Sequence, residues 1–399
     1  MKGANDKRLV PELRFPEFKK DWNVDFMQSI FDLKNGYTPS KSNPTYWDNG
    51  TIPWFRMEDI RKNGHILSDS IQHVTQQAVK NAGLFPAYSI IVATTATIGE
   101  HALVIVDSLA NQQFTFLTKR KSFKDKINMM YFHHYMFIID EWCKKNTNSG
   151  GLISVNMPAF KQLLIPFPSL AEQQKIAECL SSIDEEISAM KEKVEQLKIH
   201  KKGLMQKLFP AAGKFVPKFR FPEFEKEWGK NALKTIIKTI TPPKKLQTTE
   251  YHKKGMFPII DQSQSFICGF SDDELALVNK EKEDVVIFGD HTCILKLVNF
   301  TFIQGADGIK IFKSSNPNIV RTDYIYQYLS AFPIGVKEYK RHYSELKEII
   351  VCYSYSIIEQ QKIAECLSSI DELISLYENK VILLEQHKKG LMQRLFPKL

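Results

Sequence analysis

The chain is a duplication with two unrelated inserts. Residues 172–188, EQQKIAECLSSIDEEIS, return at 359–375 with 16 of 17 positions identical. HKKGLMQKLFP at 200–210 returns at 387–397 with one change, and both pairs share the offset 359 − 172 = 387 − 200 = 187. Upstream of each lies a third repeat, PELRFPEFKKDW at 11–22 and PKFRFPEFEKEW at 217–228, with 8 of 12 positions identical. The order is A, insert, B, then A, insert, B. The inserts, 23–171 (149 residues) and 229–358 (130 residues), share no extended similarity. A solenoid repeats throughout, so that architecture is disfavoured. Two near-identical scaffolding segments carry two different domains.

The B repeat reads as a long helix. Ile176, Leu180, Ile183, Ile187, Met190, Val194 and Leu197 fall in alternating steps of four and three. Ile363, Leu367, Ile370, Ile374, Tyr377, Val381 and Leu384 keep the same phase in the second copy. That is an a/d seam of about three heptads. Lys201 and Lys388 interrupt it before Leu204/Leu208 and Leu391/Leu395 resume. Capping boxes are expected at Ser169-x-x-Glu172 and Ser356-x-x-Glu359, and Pro210 and Pro397 close the helices. Around 38 residues give a rod of roughly 57 Å. A helix with one apolar stripe needs a partner, and its own copy offers the same stripe. A pseudo-twofold relation of the two halves would make that pair antiparallel. Pairing with another chain's helix would instead make the protein an interaction scaffold.

The inserts read as α+β. SIIVATTATIG (89–99), HALVIV (101–106) and FTFLT (114–118) favour strands in the first, and 125–145 shows helical pattern. FPII (257–260), DVVIFGD (284–290), CILKLVNFTFI (293–303) and GIKIF (308–312) do so in the second, with a helix expected over 321–331. Strands separated by short turns suggest antiparallel sheets.

Composition narrows the function classes. At 399 residues the length suits two to four domains, and 43% apolar with 25% charged residues is that of a globular protein. No run of ~18 apolar residues exists and the first residues are too polar for a signal peptide, so a cytoplasmic, non-membrane protein is expected. Six cysteines without a CxxC pair read as reduced thiols. The repeated pair Cys179/Cys366 reads as packing beside the seam. With 54 Lys+Arg against 45 Asp+Glu, the net charge of +9 permits a polyanionic partner.

The usual signatures of catalysis are missing from the sequence. It has no GxxxxGK[ST], GxGxxG or GxSxG, and no paired Cys/His metal spacing. Asn43-Pro44-Thr45-Tyr46 departs from the Asn-Pro-Pro-aromatic motif of amino-methyltransferases at its third position, and reads as a turn before Trp47. His133-His134 reads as a core pair, since it lies in an apolar-periodic helix. Lys201-Lys202 and Lys388-Lys389 read as complements to their helix dipoles, with phosphate contact as the alternative. Basic and polar residues interleave with aromatics in both inserts: Tyr37, Thr38, Ser40, Lys41, Tyr46, Trp54 and Arg56, then Asp290, His291, Thr292, Gln304 and Lys310. These residue types read base edges and hold phosphates.

These features together resemble the specificity subunit of type I restriction–modification systems, over essentially the whole chain. The repeated EQQKIAECLSSID…HKKGLMQ(K/R)LFP helices are similar to that family's conserved regions. GYTPS…YW…GTIPW…D (Gly36 to Asp59) looks like the opening of a target-recognition domain. Ser149-Gly-Gly-Leu-Ile-Ser154…Leu164-Ile-Pro-Phe-Pro168 looks like the close of one. The resemblance implies two α+β target-recognition domains with antiparallel β-structure, 1–168 and 211–355. They are joined by conserved helices at 169–210 and 356–399, which form an antiparallel coiled-coil spacer. Each domain would read one half of an asymmetric bipartite DNA site. Candidate DNA contacts are Thr38, Ser40, Lys41, Tyr46, Arg56, Thr95, Asn111 and Gln112 in the first domain. Those in the second are Lys244, Lys245, His291, Thr292, Gln304 and Lys310. The seam (Ile176, Leu180, Ile183, Ile187, Val194, Leu197, Ile363, Leu367, Ile370, Ile374, Val381, Leu384) would lie in the region that binds modification subunits. The implied partners are double-stranded DNA, two modification subunits and two restriction subunits. S-adenosylmethionine, ATP and magnesium would belong to those subunits, with no catalytic residue, cofactor or metal in this chain. Two readings compete with this one: a coiled-coil adaptor whose two inserts bind proteins, and an enzyme that uses an unrecognised site.

Overall fold

The structure is a computed structural model that describes residues 10–80, 83–148, 153–211, 213–306, 308–335 and 342–398. The chain divides into two compact units, Met1–Ala189 with Val381–Leu399, and Met190–Lys380. Two 39-residue helices, Leu170–Leu208 and Ile357–Leu395, each give one half to either unit.

In the first unit a five-stranded sheet runs in the order Phe31–Asn35, Phe114–Lys119, Ser89–Ala93, His101–Val104, Ile66–Leu67. Its central strand SIIVA is buried at every position because both faces are covered. Ile90 and Val92 pack with helix Met129–Lys145 and with Ile176, Leu180 and Phe396. Ile91 and Ala93 pack with Phe55, Met57 and Ile60 on the other side. A second sheet, His73–Val74, Ile52–Phe55 and Leu109–Ala110, lies on that other side. Strand Asn23–Phe26 pairs antiparallel with Leu164–Phe167, so the insert leaves the scaffold where it returns to it.

The second unit has the same plan without the sequence similarity. Its main sheet is ordered Ile237–Ile240, Ile309–Ser314, Val285–Gly289, Leu295–Val298, and helix Thr322–Ala331 packs on Val286, Phe288 and Phe312. Val285, Ile287 and Ile311 face the opposite core. The smaller sheet runs Gly269–Ser271, Phe257–Ile260, Phe302–Gln304, Leu277–Val278, and Trp228–Ala232 pairs with Ile350–Ser354. Most pairings are antiparallel, as the short turns suggested. Three are parallel: Ile52–Phe55 with Leu109–Ala110, Phe257–Ile260 with Phe302–Gln304, and Ile66–Leu67 with His101–Val104. Each parallel pair joins strands far apart in sequence, which a reading of neighbouring turns does not see.

The A and B repeats recur together because each A repeat clamps its B helix. Arg14 donates from Nε and Nη2 to Glu172 at 2.7 and 2.8 Å, and Arg220 does the same to Glu359 at 2.8 and 2.9 Å. Both carboxylates are at most 1% exposed. This corrects the capping-box reading: the Glu172 and Glu359 backbone N–H groups reach Ser169 and Ser356 Oγ at 3.4 Å, but their carboxylates are spent on the arginines. The next repeated residue holds the insert. Gln173 accepts from Asn128 N and donates to Lys126 O and Pro168 O at 2.7–2.9 Å. Gln360 accepts from Arg321 N and donates to Ile319 O and Ser354 O over the same range. Every partner is a backbone group, so this socket is indifferent to the insert's side chains.

The helix pairing is antiparallel within each unit. Asp184 pairs with Lys388 in the first and Lys201 with Asp371 in the second, each at 2.6 Å. The constant sum 184 + 388 = 201 + 371 = 572 is what opposed directions require. The seam lysines therefore serve an interhelical ion pair rather than the helix dipole. A lysine this far inside a seam is tolerated because its ammonium reaches a carboxylate at the helix edge. Ile176, Leu180, Ile187, Val194, Ile363, Leu367, Ile370 and Val381 are buried, and Ile183, Leu197, Ile374 and Leu384 are half-buried.

Candidate nucleic-acid interface

In each unit the parallel pair of the smaller sheet, Ile52–Phe55 with Leu109–Ala110 and Phe257–Ile260 with Phe302–Gln304, ends at a mouth. In the first unit Asn111 N donates to Phe55 O at 3.0 Å, Tyr37 N to Ala110 O at 2.8 Å and Thr94 N to Gln113 O at 3.0 Å. Three segments far apart in sequence, 36–40, 55–56 and 93–95, thus converge on the turn 110–113. Gly36 is required there, because a Cβ would drive into the carbonyls of Ala110 and Asn111. Five expected DNA contacts come together around this turn: Thr38, Arg56, Thr95, Asn111 and Gln112. Thr38 Oγ1 donates to Gln112 Oε1 at 2.5 Å, and Asn111 Nδ2 donates to Gln113 Oε1 at 3.2 Å. Arg56 lies 5.7 Å from the Trp54 ring and pairs with Glu58 at 2.8 Å.

The remaining first-unit candidates sit on the adjoining loop. Ser40 and Lys41 are exposed, and Ser40 O accepts from Trp47 Nε1 at 2.9 Å. Asn43 caps the 3₁₀ turn Pro44–Tyr46, which explains that motif without catalysis. Tyr46 is half-buried, its carbonyl held by Thr75 N at 2.9 Å. Ser149 to Leu152 of the quoted domain ending lie outside the described residues.

The second unit builds its mouth from the same hydrogen bonds. Gly305 N donates to Ile260 O at 2.9 Å, as Asn111 does to Phe55, and Leu246 N donates to Gln304 O at 3.0 Å, as Tyr37 does to Ala110. Asp290 N donates to Gly308 O at 2.6 Å. His291 and Thr292 lie at this mouth, with Thr292 Oγ1 donating to Gln262 O at 3.0 Å. Lys310 stands one residue beyond Ile309, which pairs with Gly289, and its Nζ is 5.8 Å from the Tyr343 ring. Lys244 and Lys245 are exposed beside Leu246, and Lys244 pairs with Asp273 at 2.6 Å. Gln304 is a correction. It pairs with Ile260 at the end of its strand and is only 1% exposed, so its side chain is enclosed within the fold.

Two residues that sequence reasoning passed over belong here. Asp261 Oδ1 accepts from Ser263 N at 2.8 Å, forming a turn that presents Gln262. Lys296, 4% exposed, donates to Asp261 O at 2.8 Å and Ser265 O at 2.6 Å, and burial pushes its ammonium below the usual lysine range. Nothing in the local sequence marks them, because the partners are 31 and 35 residues apart.

The expected core pair His133 and His134 is buried, and His101 is buried beside it. His101 Nδ1 bonds Asp140 Oδ2 at 2.5 Å, and burial raises the Asp140 carboxyl pKa. His134 Nε2 meets Ser181 Oγ at 3.1 Å, and burial with nearby Lys388 lowers its pKa to about 3. Among the described residues no group of His, Cys, Asp and Glu could hold a metal ion, and no helix is long and apolar enough to cross a membrane.

Residues 19–198 match the family model of the type I restriction modification DNA specificity domain. The specificity subunit of the type I restriction enzyme EcoprrI from Escherichia coli is 48% identical over 161 residues, 39% of this chain and 40% of that protein. The MjaIX specificity subunit from Methanocaldococcus jannaschii is 32% identical over 184 residues, 45% of this chain and 41% of that protein. The chain thus spans about two-fifths of the length of these relatives in the alignments. The fold is similar, over 98% of this chain and 100% of the other, to the crystal structure of a type I S subunit from M. genitalium, with a TM-score of 0.67 at 18% identity. Residues 19–198 thus resemble a type I restriction modification DNA specificity domain, and the chain shares the fold of that S subunit over nearly its whole length.

Proposed function

We propose that this chain is the DNA-specificity subunit of a type I restriction–modification complex. Each mouth reads one half of an asymmetric bipartite site, and the paired helices fix the gap between the halves. The observation that carries this reading is the repeated mouth: one backbone frame, held by the same hydrogen bonds, displays unlike side chains in the two units. Thr38, Arg56, Thr95, Asn111 and Gln112 stand in one, and Gln262, His291 and Thr292 in the other. A shared frame with different polar faces suits two different half-sites.

The chain itself performs no catalysis in this reading. Two modification subunits supply S-adenosylmethionine-dependent methylation, and two restriction subunits supply ATP- and magnesium-dependent cleavage. The second long helix exposes Leu373, Leu376, Ile382 and Leu383, where the first repeat has Glu186, Ala189, Glu195 and Gln196. An apolar helix face of this kind favours protein partners on the scaffold.

Replacing residues 23–165 with another recognition insert tests the reading, with methylome sequencing of the host as readout. One half of the methylated motif changes and the other half and the gap persist. A change in both halves refutes the modular reading. Salt-independent DNA affinity, or none with modification subunits present, favours the protein-binding adaptor.

A further inference from the structure

We propose that Gln262 is the base-reading side chain of the second unit and that it recognises adenine in the major groove. This rests on the DNA-specificity reading above.

The loop that carries Gln262 is built as a rigid platform. From beneath, the buried Lys296 ammonium ties its two ends by donating to Asp261 O and Ser265 O. Within it, Asp261 Oδ1 receives Ser263 N and fixes the backbone on either side of Gln262. From the flank, Thr292 Oγ1 donates to Gln262 O at 3.0 Å. Burying an ammonium group has a large desolvation cost, and here it secures loop carbonyls rather than a carboxylate.

The side chain itself is held by missing atoms on two neighbours. A Cβ at Gly289 would lie 2.9 Å from Gln262 Cβ and would also collide with Thr292 Oγ1. A Cβ at Gly308, whose φ is +89°, would lie 2.8 Å from Gln262 Nε2. Two glycines from separate strand ends therefore leave a slot in which the amide is seated. Its Oε1 accepts from His291 N at 3.4 Å, a long bond that leaves acceptor capacity on the oxygen. Gln262 as a whole is half-buried. Ordering such a side chain in advance removes most of the entropy loss on binding.

The chemistry selects the base. A glutamine amide offers one acceptor and one donor in a plane, matching N6 and N7 of adenine in a bidentate pair. By the hydrogen bonds of the mouth, the first-unit position equivalent to Gln262 follows Phe55 by two residues and is Met57. Met57 is 8% exposed and packs in the core. The first unit therefore has no amide at that position, as an asymmetric site requires.

The test is methylome sequencing of hosts carrying the full chain with its partner subunits, as wild type, Gln262→Ala, Gln262→Glu and Gln264→Ala. Gln264 is an exposed residue of the same loop. The expected result is a wild-type bipartite motif with an adenine that becomes degenerate in Gln262→Ala, its preference falling roughly ten- to a hundredfold. Gln262→Glu moves that position toward cytosine, whose N4 is a donor to carboxylate. The other half, the gap and the Gln264→Ala motif stay unchanged. An unchanged motif in both Gln262 variants, a change in the other half, or loss of preference at a base other than adenine overturns the assignment. Loss of all modification by both variants at normal levels of folded chain means that Gln262 only holds the loop, and overturns it too. A wild-type chain yielding no bipartite motif refutes the DNA-specificity reading itself.

Discussion

His134 offers a quantitative test of the joint between the first insert and its helix. Its ring lies against Ser181, with Asp184 Oδ2 at 4.0 Å and Lys388 paired to that carboxylate. In the second unit Gln327 occupies the corresponding place, donating to Ser368 Oγ and Asp371 Oδ2 at 3.1 Å, with Lys201 on Asp371. The helix positions correspond by the repeat offset, 181 + 187 = 368 and 184 + 187 = 371. Nature has therefore placed both an imidazole and an amide on the same Ser–Asp–Lys frame. Burial, followed by Lys388 and His101, lowers the His134 pKa from 6.5 to about 3. Below pH 6.5 the unfolded chain takes up a proton that the folded chain refuses, so folding stability falls as pH drops and the loss levels off near pH 3. The slope approaches 1.36 kcal/mol per pH unit, which gives a loss of about 2 kcal/mol between pH 7.5 and 5. His134→Gln removes this contribution and keeps a hydrogen bond to Ser181. Urea unfolding of the full chain at pH 7.5 and pH 5, followed by Trp fluorescence, measures it. The wild type should lose about 2 kcal/mol more than His134→Gln over this interval. His133, also held neutral by burial, contributes equally to both proteins and cancels. Parallel losses in the two proteins refute the claim that His134 is folded in its neutral form.

Arg14→Met leaves the buried Glu172 carboxylate unpaired and should destabilise the first unit by about 3 kcal/mol. Arg14→Met with Glu172→Leu should recover most of that loss in urea unfolding, and an unrelieved double variant would argue against an ion-pair clamp. Adding seven residues to both long helices keeps the seam phase and lengthens the rod by about 10 Å. At about 3.4 Å per base pair the DNA gap should then grow by about three base pairs with both half-sites intact. An unchanged gap in the methylated motif rules out the helices as its ruler.

The scaffold was legible in the sequence because its constraints are local and duplicated. Heptad phase puts Ile176, Leu180, Ile187 and Val194 on one buried stripe, and the same phase serves Ile363, Leu367, Ile370 and Val381. Repetition at a fixed offset identified both helices and the two inserts, and the strand and helix positions within the inserts followed from apolar runs. The Lys201 and Lys388 interruptions were visible as anomalies, but their Asp371 and Asp184 partners lie 170 and 204 residues away.

What the sequence determined, then, is the frame: periodic apolar residues specify a helix and its buried face without reference to distant chain. What only tertiary structure decided is the likeness of the two inserts and the make-up of their mouths. Phe55 with Asn111 and Ile260 with Gly305 are joined by backbone hydrogen bonds, which any residue except proline can donate. One architecture is therefore written in two unrelated sequences. Gln304, suggestive in sequence, is enclosed within the fold, whereas the Gln262 loop is held by Lys296, Gly289 and Gly308 from three other segments. Side-chain exposure at a loop depends on which distant strands close around it, and that information exists only once the chain has folded.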